Sequence, residues 1–288
     1  MGGNTLSVAM IDGDILVFKF AHACQEVIHW ADDIYTTHGN FRAASIMLDE
    51  AILKIRKETK TCAVRVFLTS STNFRTDVLP EYKENRKTTA RPILVNPLRE
   101  HLFKWYDAEM EEGLEADDLL GMATYKKIGA ICCSIDKDLR TVEGLHYNFD
   151  KPEEGVVKVK EKDAARQFYT QVLTGDTVDN FKGLPGCGPK SAEKILDGAS
   201  SVTEMWLRVL EAYEKKGLSE EDAVQQARCA YILKKKTDWS RDKGVRLWTP
   251  PKKRIAKTVV EKNQHTRTEG APSEMSAMGP STQGGKSS

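Results

Sequence analysis

The position of its carboxylates restricts this chain more than any other feature. They fall in four clusters, each near the end of an apolar strand or at a helix start: Asp12; Glu115, Asp117 and Asp118; Asp136 and Asp138; Asp176 and Asp179. Asp12 closes the run Leu6-Ser7-Val8-Ala9-Met10-Ile11, and Asp136 closes Ala130-Ile131-Cys132-Cys133-Ser134-Ile135. Open α/β sheets bind ligands at the carboxyl ends of their strands. A fold that gathers these acids must neutralise them, because two unit charges ~4 Å apart repel by roughly 1 kcal/mol even in water. Raised pKa values relieve the repulsion, but hard divalent cations with oxygen ligands do so better. The pattern points to Mg²⁺ or Mn²⁺ and to phosphoryl-transfer chemistry.

The 288 residues suffice for one large α/β domain or two smaller ones. A net charge of +1 gives no global sign of nucleic-acid binding, so the distribution of charge carries the argument. None of the six cysteines lies in a C-x-x-C pair, and the six histidines show no metal-binding spacing. With no signal peptide and no apolar run near the ~20 residues of a membrane span, the expected state is free thiols in a reducing cytoplasm.

The expected order of elements is strand, helix, strand. Helices are predicted over residues 14–29, 42–58 and 116–127, with Met47, Leu48, Ala51, Ile52 and Ile55 on one face of the second. Val64 to Leu68 and residues 130–135 are predicted buried strands, with short edge strands at 145–149 and 155–159. Alternating strands and helices predict a mainly parallel sheet flanked by helices. Residues 75–104 are polar and basic, broken by Pro80, Pro92 and Pro97. From about residue 162 to 236 the pattern is helical around a glycine-rich turn, and from about residue 262 the chain is too polar to order. The expected domains are an α/β core over residues 1–161, a helical region over 162–250 and a basic tail over 251–288.

Each motif also has an ordinary explanation. Acids in a first helical turn favour the positive end of the helix dipole, D-x-D is common in loops, and Asp176 suits a helix cap. Only the four clusters together demand a metal site. Gly183-x4-Gly188-Pro189-Lys190-Ser191 is one proline away from a phosphate-binding loop, and that insertion spoils the lysine register. A helix-hairpin-helix fits better, its glycines admitting a phosphate to the N–H groups of the next helix. Lys182, Lys190 and Lys194 add positive charge there. Pro80-Glu81-Tyr82-Lys83-Glu84-Asn85-Arg86-Lys87, extended by Arg75, Arg91 and Arg99, reads as a solvated helix or as a segment holding phosphates and stacking a base.

In this order the motifs resemble the 5′-nuclease superfamily, which includes flap endonucleases and the exonucleases of short-tailed lytic phages. The resemblance covers about residues 6–250 and rests on Met10-Ile11-Asp12-Gly13-Asp14, Pro80 to Arg86, Glu115-Ala116-Asp117-Asp118, Asp136-x-Asp138, Gly175-Asp176-x-x-Asp179-Asn180 and the glycine-rich turn. It implies an α/β nuclease core with a helical arch over about residues 75–104 and a helix-hairpin-helix over about 175–198, and a 5′→3′ exonuclease on duplex DNA that also removes RNA from RNA–DNA hybrids, in phage replication and host DNA degradation. A 5′-flap endonuclease and a DNA-binding scaffold without catalysis are the alternatives. The implied cofactors are two Mg²⁺ ions, replaceable by Mn²⁺, with a monovalent cation at the hairpin. The implied ligands are Asp12, Glu115, Asp117, Asp136, Asp138 and Asp179, with Asp118 and Asp176 acting through water. Lys83 and Arg86 are the implied catalytic cations. Tyr82, Lys83, Arg86, Lys87, Gly183, Gly186, Gly188, Lys190 and Ser191 are the implied DNA contacts, with no membrane partner. The departure from the family pattern is Ser70, where an aspartate is usual; a water, a hydroxyl or nearby Asp77 would have to compensate.

Overall fold

β1 (Val8–Asp12) is buried over its last four residues because it has a parallel neighbour on each side, which explains its near-continuous apolar sequence. The computed structural model describes residues 7–86 and 90–251, which belong to one compact unit. α1 (Gly13–Ala23) follows, its first turn capped by the Asp12 carboxylate, which accepts from the Ile15 N–H at 3.3 Å. β2 (Gln25–Ala31) and β3 (Ile34–Gly39) then form an antiparallel hairpin. α2 (Phe41–Glu58) presents Ala44, Leu48, Ile52 and Ile55 to the core, and Asn40 caps it. β4 (Ala63–Phe67), the short α3 (Arg75–Val78) and α4 (Val95–Tyr106) complete this side. α5 (Ala116–Thr124), β5 (Ala130–Cys133), β6 (Gly144–Tyr147) and β7 (Val156–Val159) come next.

The five-stranded sheet has the order β4-β1-β5-β6-β7, parallel except for β7. From β4 at one edge the chain crosses β1 to reach β5. The crevice outside the carboxyl ends of β1 and β5 is therefore the switch point where such sheets bind ligands.

The helical region comprises α6 (Glu161–Thr174), α7 (Pro189–Leu196), α8 (Val202–Glu214) and α9 (Glu220–Ala230), followed by a two-residue pair, β8 (Trp239–Ser240) and β9 (Gly244–Val245). Tyr169, Val172, Leu173, Leu196, Met205, Trp206 and Val209 form a core here, separate from the clusters on the sheet. Burying each such side chain contributes about 1.5–3 kcal/mol. No helix among the described residues is long and apolar enough to cross a membrane.

The structure corrects three local expectations. Residues 25–31 are strand, not the end of a helix over 14–29. Val27, Ile28 and Trp30 face Ile34 to Thr37 across a turn at Asp32-Asp33, where Asp32 takes φ +43°. Second, Val95, Leu98 and Leu102 of α4 pack into the sheet's core, so the polar, basic stretch read over residues 75–104 ends well before residue 104. Third, Asp176, which suits a helix cap, instead closes a loop over residues 175–181 by pairing with Phe181 and caps no helix.

Candidate active site

The site lies at the β1–β5 crevice. Asp12 ends β1, almost fully buried, and its Oδ2 accepts from Ser134 Oγ at 2.9 Å. Ser134 Oγ in turn accepts from the Asp136 N–H at 3.0 Å, which ties the turn after β5 to the end of β1. Burial, then the charges of Asp14 and Asp136, push the Asp12 carboxyl up to about 7. Asp117, in the first turn of α5, is held well above the usual carboxylate range by burial and by the charges of Asp12, Asp136 and Glu115. Burial, with Asp136, Asp176 and Asp179 nearby, pushes Asp138 up to about 7. All four sequence clusters thus act on one another electrostatically.

Cationic side chains from the basic stretch lie among these acids. Lys83 Nζ donates to Glu115 Oε1 and lies 3.5 Å from Asp179 Oδ2; Arg86 Nη2 donates to Asp179 Oδ1 at 2.6 Å. Lys83 and Arg75 hold the Glu115 carboxyl below its ordinary range despite its burial. In Asp179, burial outweighs those cations and the carboxyl stays raised. The Tyr82 hydroxyl lies 2.8 Å from Asp179 Oδ2 and 3.1 Å from Glu115 Oε2. Lys83 has φ +55°, a left-handed conformation uncommon for a residue with a side chain, and its N–H donates to Asp179 O at 2.9 Å. The backbone is bent to bring the ammonium to the acids.

Several predicted residues have other employment. Asp118 is fully buried and takes two 2.8 Å hydrogen bonds from Arg75, plus the Leu233 N–H at 3.1 Å. Its oxygens are filled from within the protein, so it has no lone pair free to hold a metal-bound water. Arg75 was read as part of the phosphate-holding stretch. It is 2% exposed and also donates to Cys229 O and Tyr231 O. Arg99 pairs with Asp14. Tyr82 is 3% exposed, its ring in the helical core, so it cannot stack a base. Ser70 Oγ donates to Thr72 O at 2.6 Å and accepts from the Gly113 N–H at 3.1 Å, while Asp77 is exposed on α3. Lys87 and the basic tail from Lys252 lie outside the described residues.

The glycine-rich turn joins α6 to α7. Gly183, φ +62°, is buried, and a Cβ there would lie 2.2 Å from Gly175 N. It serves close packing rather than approach by a ligand. Gly186, φ +75°, and Gly188 are exposed, and a Cβ on either would meet nothing. Lys190 and Ser191 are exposed in the first turn of α7, whose N1 residue is Pro189. Asp176 Oδ1 accepts from the N–H groups of Val178 and Asp179, and so shapes the loop that carries Asp179.

Sequence reasoning missed three supports: Ser134, which carries no motif; Arg75, hidden among other basic residues; and Asp14 with Arg99. Asp14 accepts from the Thr69 N–H at 2.7 Å and adds its charge to Asp12.

Among the described residues, no three His, Cys, Asp or Glu side chains form a ready cation cage. The chemistry of the donors nevertheless suits a hard cation. Asp138 Oδ1 is buried without a hydrogen-bond partner, and burial and neighbouring acids disfavour the charged forms of Asp12 and Asp117, which a cation would restore.

Residues 7–169 match the family model described as 5′-3′ exonuclease, N-terminal resolvase-like domain. The chain is 25% identical to an exodeoxyribonuclease of Enterobacteria phage T3 over 86% of this chain and 95% of that one, and 25% identical to an exonuclease of Escherichia phage T7 with the same coverage. In fold it is similar to a flap endonuclease of bacteriophage T5 whose crystal structure holds DNA and metal ions. The TM-score is 0.58 and the identity 19%, over 79% of this chain and 89% of that one. The chain belongs to the 5′→3′ exonuclease family and is an enzyme of that class.

Proposed function

We propose that the chain hydrolyses the phosphodiester bonds of duplex DNA from 5′ ends in a reaction that depends on divalent metal, Mg²⁺ being the expected ion. The observation that carries this reading is the convergence of Asp12, Asp117, Asp136 and Asp138 at the sheet's switch point, with Lys83 and Arg86 held beside them on Glu115 and Asp179. The phage T5 neighbour, solved with DNA and metal ions, supports it through its likeness in fold.

Asp12, Glu115 and Asp117 are the residues that would hold one ion, and Asp136, Asp138 and Asp179 the other. The chemistry the ions would supply when bound is activation of a water and stabilisation of the leaving 3′ oxygen. The protein's own groups do the rest. Lys83 and Arg86 stand where negative charge develops on the phosphoryl group and stabilise it there. Ser134 fixes the Asp12 carboxylate by donating to Oδ2. Arg75 and Lys83 keep Glu115 ionised despite its burial. The open backbone at Gly186 and Gly188, with Lys190 and Ser191, suits a duplex phosphate held away from the cut as in a helix-hairpin-helix; a monovalent cation there, removal of RNA from hybrids and a role in phage replication belong to the same proposal.

The test is cleavage of a 3′-labelled blunt duplex with Mg²⁺, Mn²⁺ or EDTA, beside Asp117→Ala and with a 5′-flap substrate in parallel. Metal-dependent shortening from the 5′ end, absent in the variant, is the expected result. Cleavage undiminished in EDTA would overturn the metal assignment, and faster cleavage of the flap would favour the endonuclease reading.

A further inference from the structure

A groove of about 300 Å³ lies beside the acids, between the turn after β5 and the β6–β7 hairpin. Three observations give it a purpose. It adjoins the site: Ser134 and Asp136 are among its lining residues, and Ser134 is the residue that fixes Asp12. It sits outside the carboxyl ends of adjacent parallel strands, where these sheets place ligands. Its volume is at the lower end of the about 300–1,000 Å³ typical of small-molecule sites, room for a nucleotide but not a duplex.

The lining is mixed in the way a nucleotide requires. Ile135 and Val157 remain 38% and 40% exposed, an apolar surface for a sugar and base. Lys137, Arg140 and Lys151 supply positive charge. Arg140 and Lys151 share one acceptor, Glu154, at 3.4 and 3.5 Å. Such long, exposed pairs are weak, and both cations have donors left for a phosphate. Cleavage from a 5′ end releases a terminal nucleotide whose 3′ oxygen leaves at the acids. Its 5′ phosphate then points away from them.

We propose that this groove seats the terminal nucleotide, with its 3′ oxygen toward Asp136 and its 5′ phosphate on Arg140 and Lys151. The inference rests on the hydrolysis of 5′-terminal phosphodiesters proposed above. The ligand class is a nucleoside 5′-monophosphate, which as product also inhibits by returning to the groove.

The test is a fluorescence titration of the full chain with 2-aminopurine deoxyriboside 5′-monophosphate, a readout that needs no catalysis. The expected result is saturable binding, weakened at least about tenfold in the double variant Arg140→Glu with Lys151→Glu, since two charge-assisted contacts are lost. Val157→Trp, which fills the groove without changing charge, should weaken binding as much. Thermal melts confirm that each variant is folded. Inorganic phosphate and the unphosphorylated nucleoside, tested separately, should each bind far more weakly. No binding by the wild type, or equal binding by both folded variants, overturns the proposal, as does phosphate competing as well as the nucleotide. Nucleotide binding by a chain that cuts no DNA would leave the groove assigned and refute the reading of the reaction instead.

Discussion

Arg75 grips Asp118 with two parallel hydrogen bonds, Nη1 to Oδ2 and Nη2 to Oδ1, each 2.8 Å, with neither side chain exposed by more than 2%. The same guanidinium reaches Glu115 Oε2 at 3.3 Å and the carbonyls of Cys229 and Tyr231. One side chain thereby fixes the N-terminal turn of α5 against the segment that leaves α9. The second aspartate of the Glu-Ala-Asp-Asp motif is part of the frame, and the first faces the site.

Arg75→Ala should destabilise the protein by about 3–5 kcal/mol, because Asp118 would remain buried without its partner. Arg75→Lys should recover only part of this, since a lysine cannot make the bidentate contact. Urea denaturation followed by circular dichroism measures both. A midpoint unchanged in Arg75→Ala would show that the pair carries no net stability.

Asp117→Asn removes one of several mutually repelling acids. Cleavage should fall by about two orders of magnitude or more as a metal ligand is lost. The metal-free protein should melt no lower than wild type, and DNA binding should persist. Single-turnover cleavage and a binding titration in EDTA separate the two effects; equal loss of both would mean that Asp117 is structural.

Lys83→Ala should slow the chemical step by about 10²-fold, the scale for removing a donor aimed at developing charge. Glu115 would also lose a stabilising neighbour, so its carboxyl should titrate closer to its ordinary value. Single-turnover rates across pH report both effects. A rate equal to wild type would remove Lys83 from the mechanism.

In the metal-free protein Asp12 and Asp138 are raised from 3.8 to about 7. The folded state therefore binds more protons than the unfolded state between these values, and stability falls as pH rises through that window. The metal-free protein should melt several degrees lower (roughly) at pH 8 than at pH 5. Asp12→Asn should flatten the dependence, and saturating Mg²⁺ should raise the melting point most at the higher pH. A pH-independent melting temperature in EDTA would contradict the burial of these acids.

Gly183→Ala and Gly186→Ala should part company. The first forces a Cβ to within 2.2 Å of Gly175 N and should disrupt the α6–α7 turn. The second has open space and should cost only about 1–2 kcal/mol for its left-handed backbone. Thermal melts distinguish them, and Gly186→Ala should bind duplex DNA more weakly while remaining folded. Unchanged affinity would remove this turn from the DNA interface.

Local patterning made much of the fold legible. β1 and β5 are short apolar runs ended by acids, and Leu48, Ile52 and Ile55 repeat at helical spacing in α2, so strand, helix and sheet class followed from run length and the 3.6-residue period. The β2–β3 hairpin escaped because its strands are exposed on both sides and lack the buried face that reveals a register.

The sequence by itself determined which residues bring negative charge to the strand ends, because a strand's end and a helix's first turn are local features. It could not divide those acids between roles. Asp117 and Asp118 are adjacent, and on a helix adjacent residues point about 100° apart. Only the packing of α5 against Leu233 and Arg75 decided which one is buried in an ion pair. The same holds for Tyr82, which sequence placed beside basic residues and packing placed in the helical core. The charges available were written in the sequence. Their partners come from segments as far apart as 32 positions for Lys83 and Glu115 and 122 for Asp12 and Ser134, and long-range contacts of that kind exist only once the chain has closed on itself.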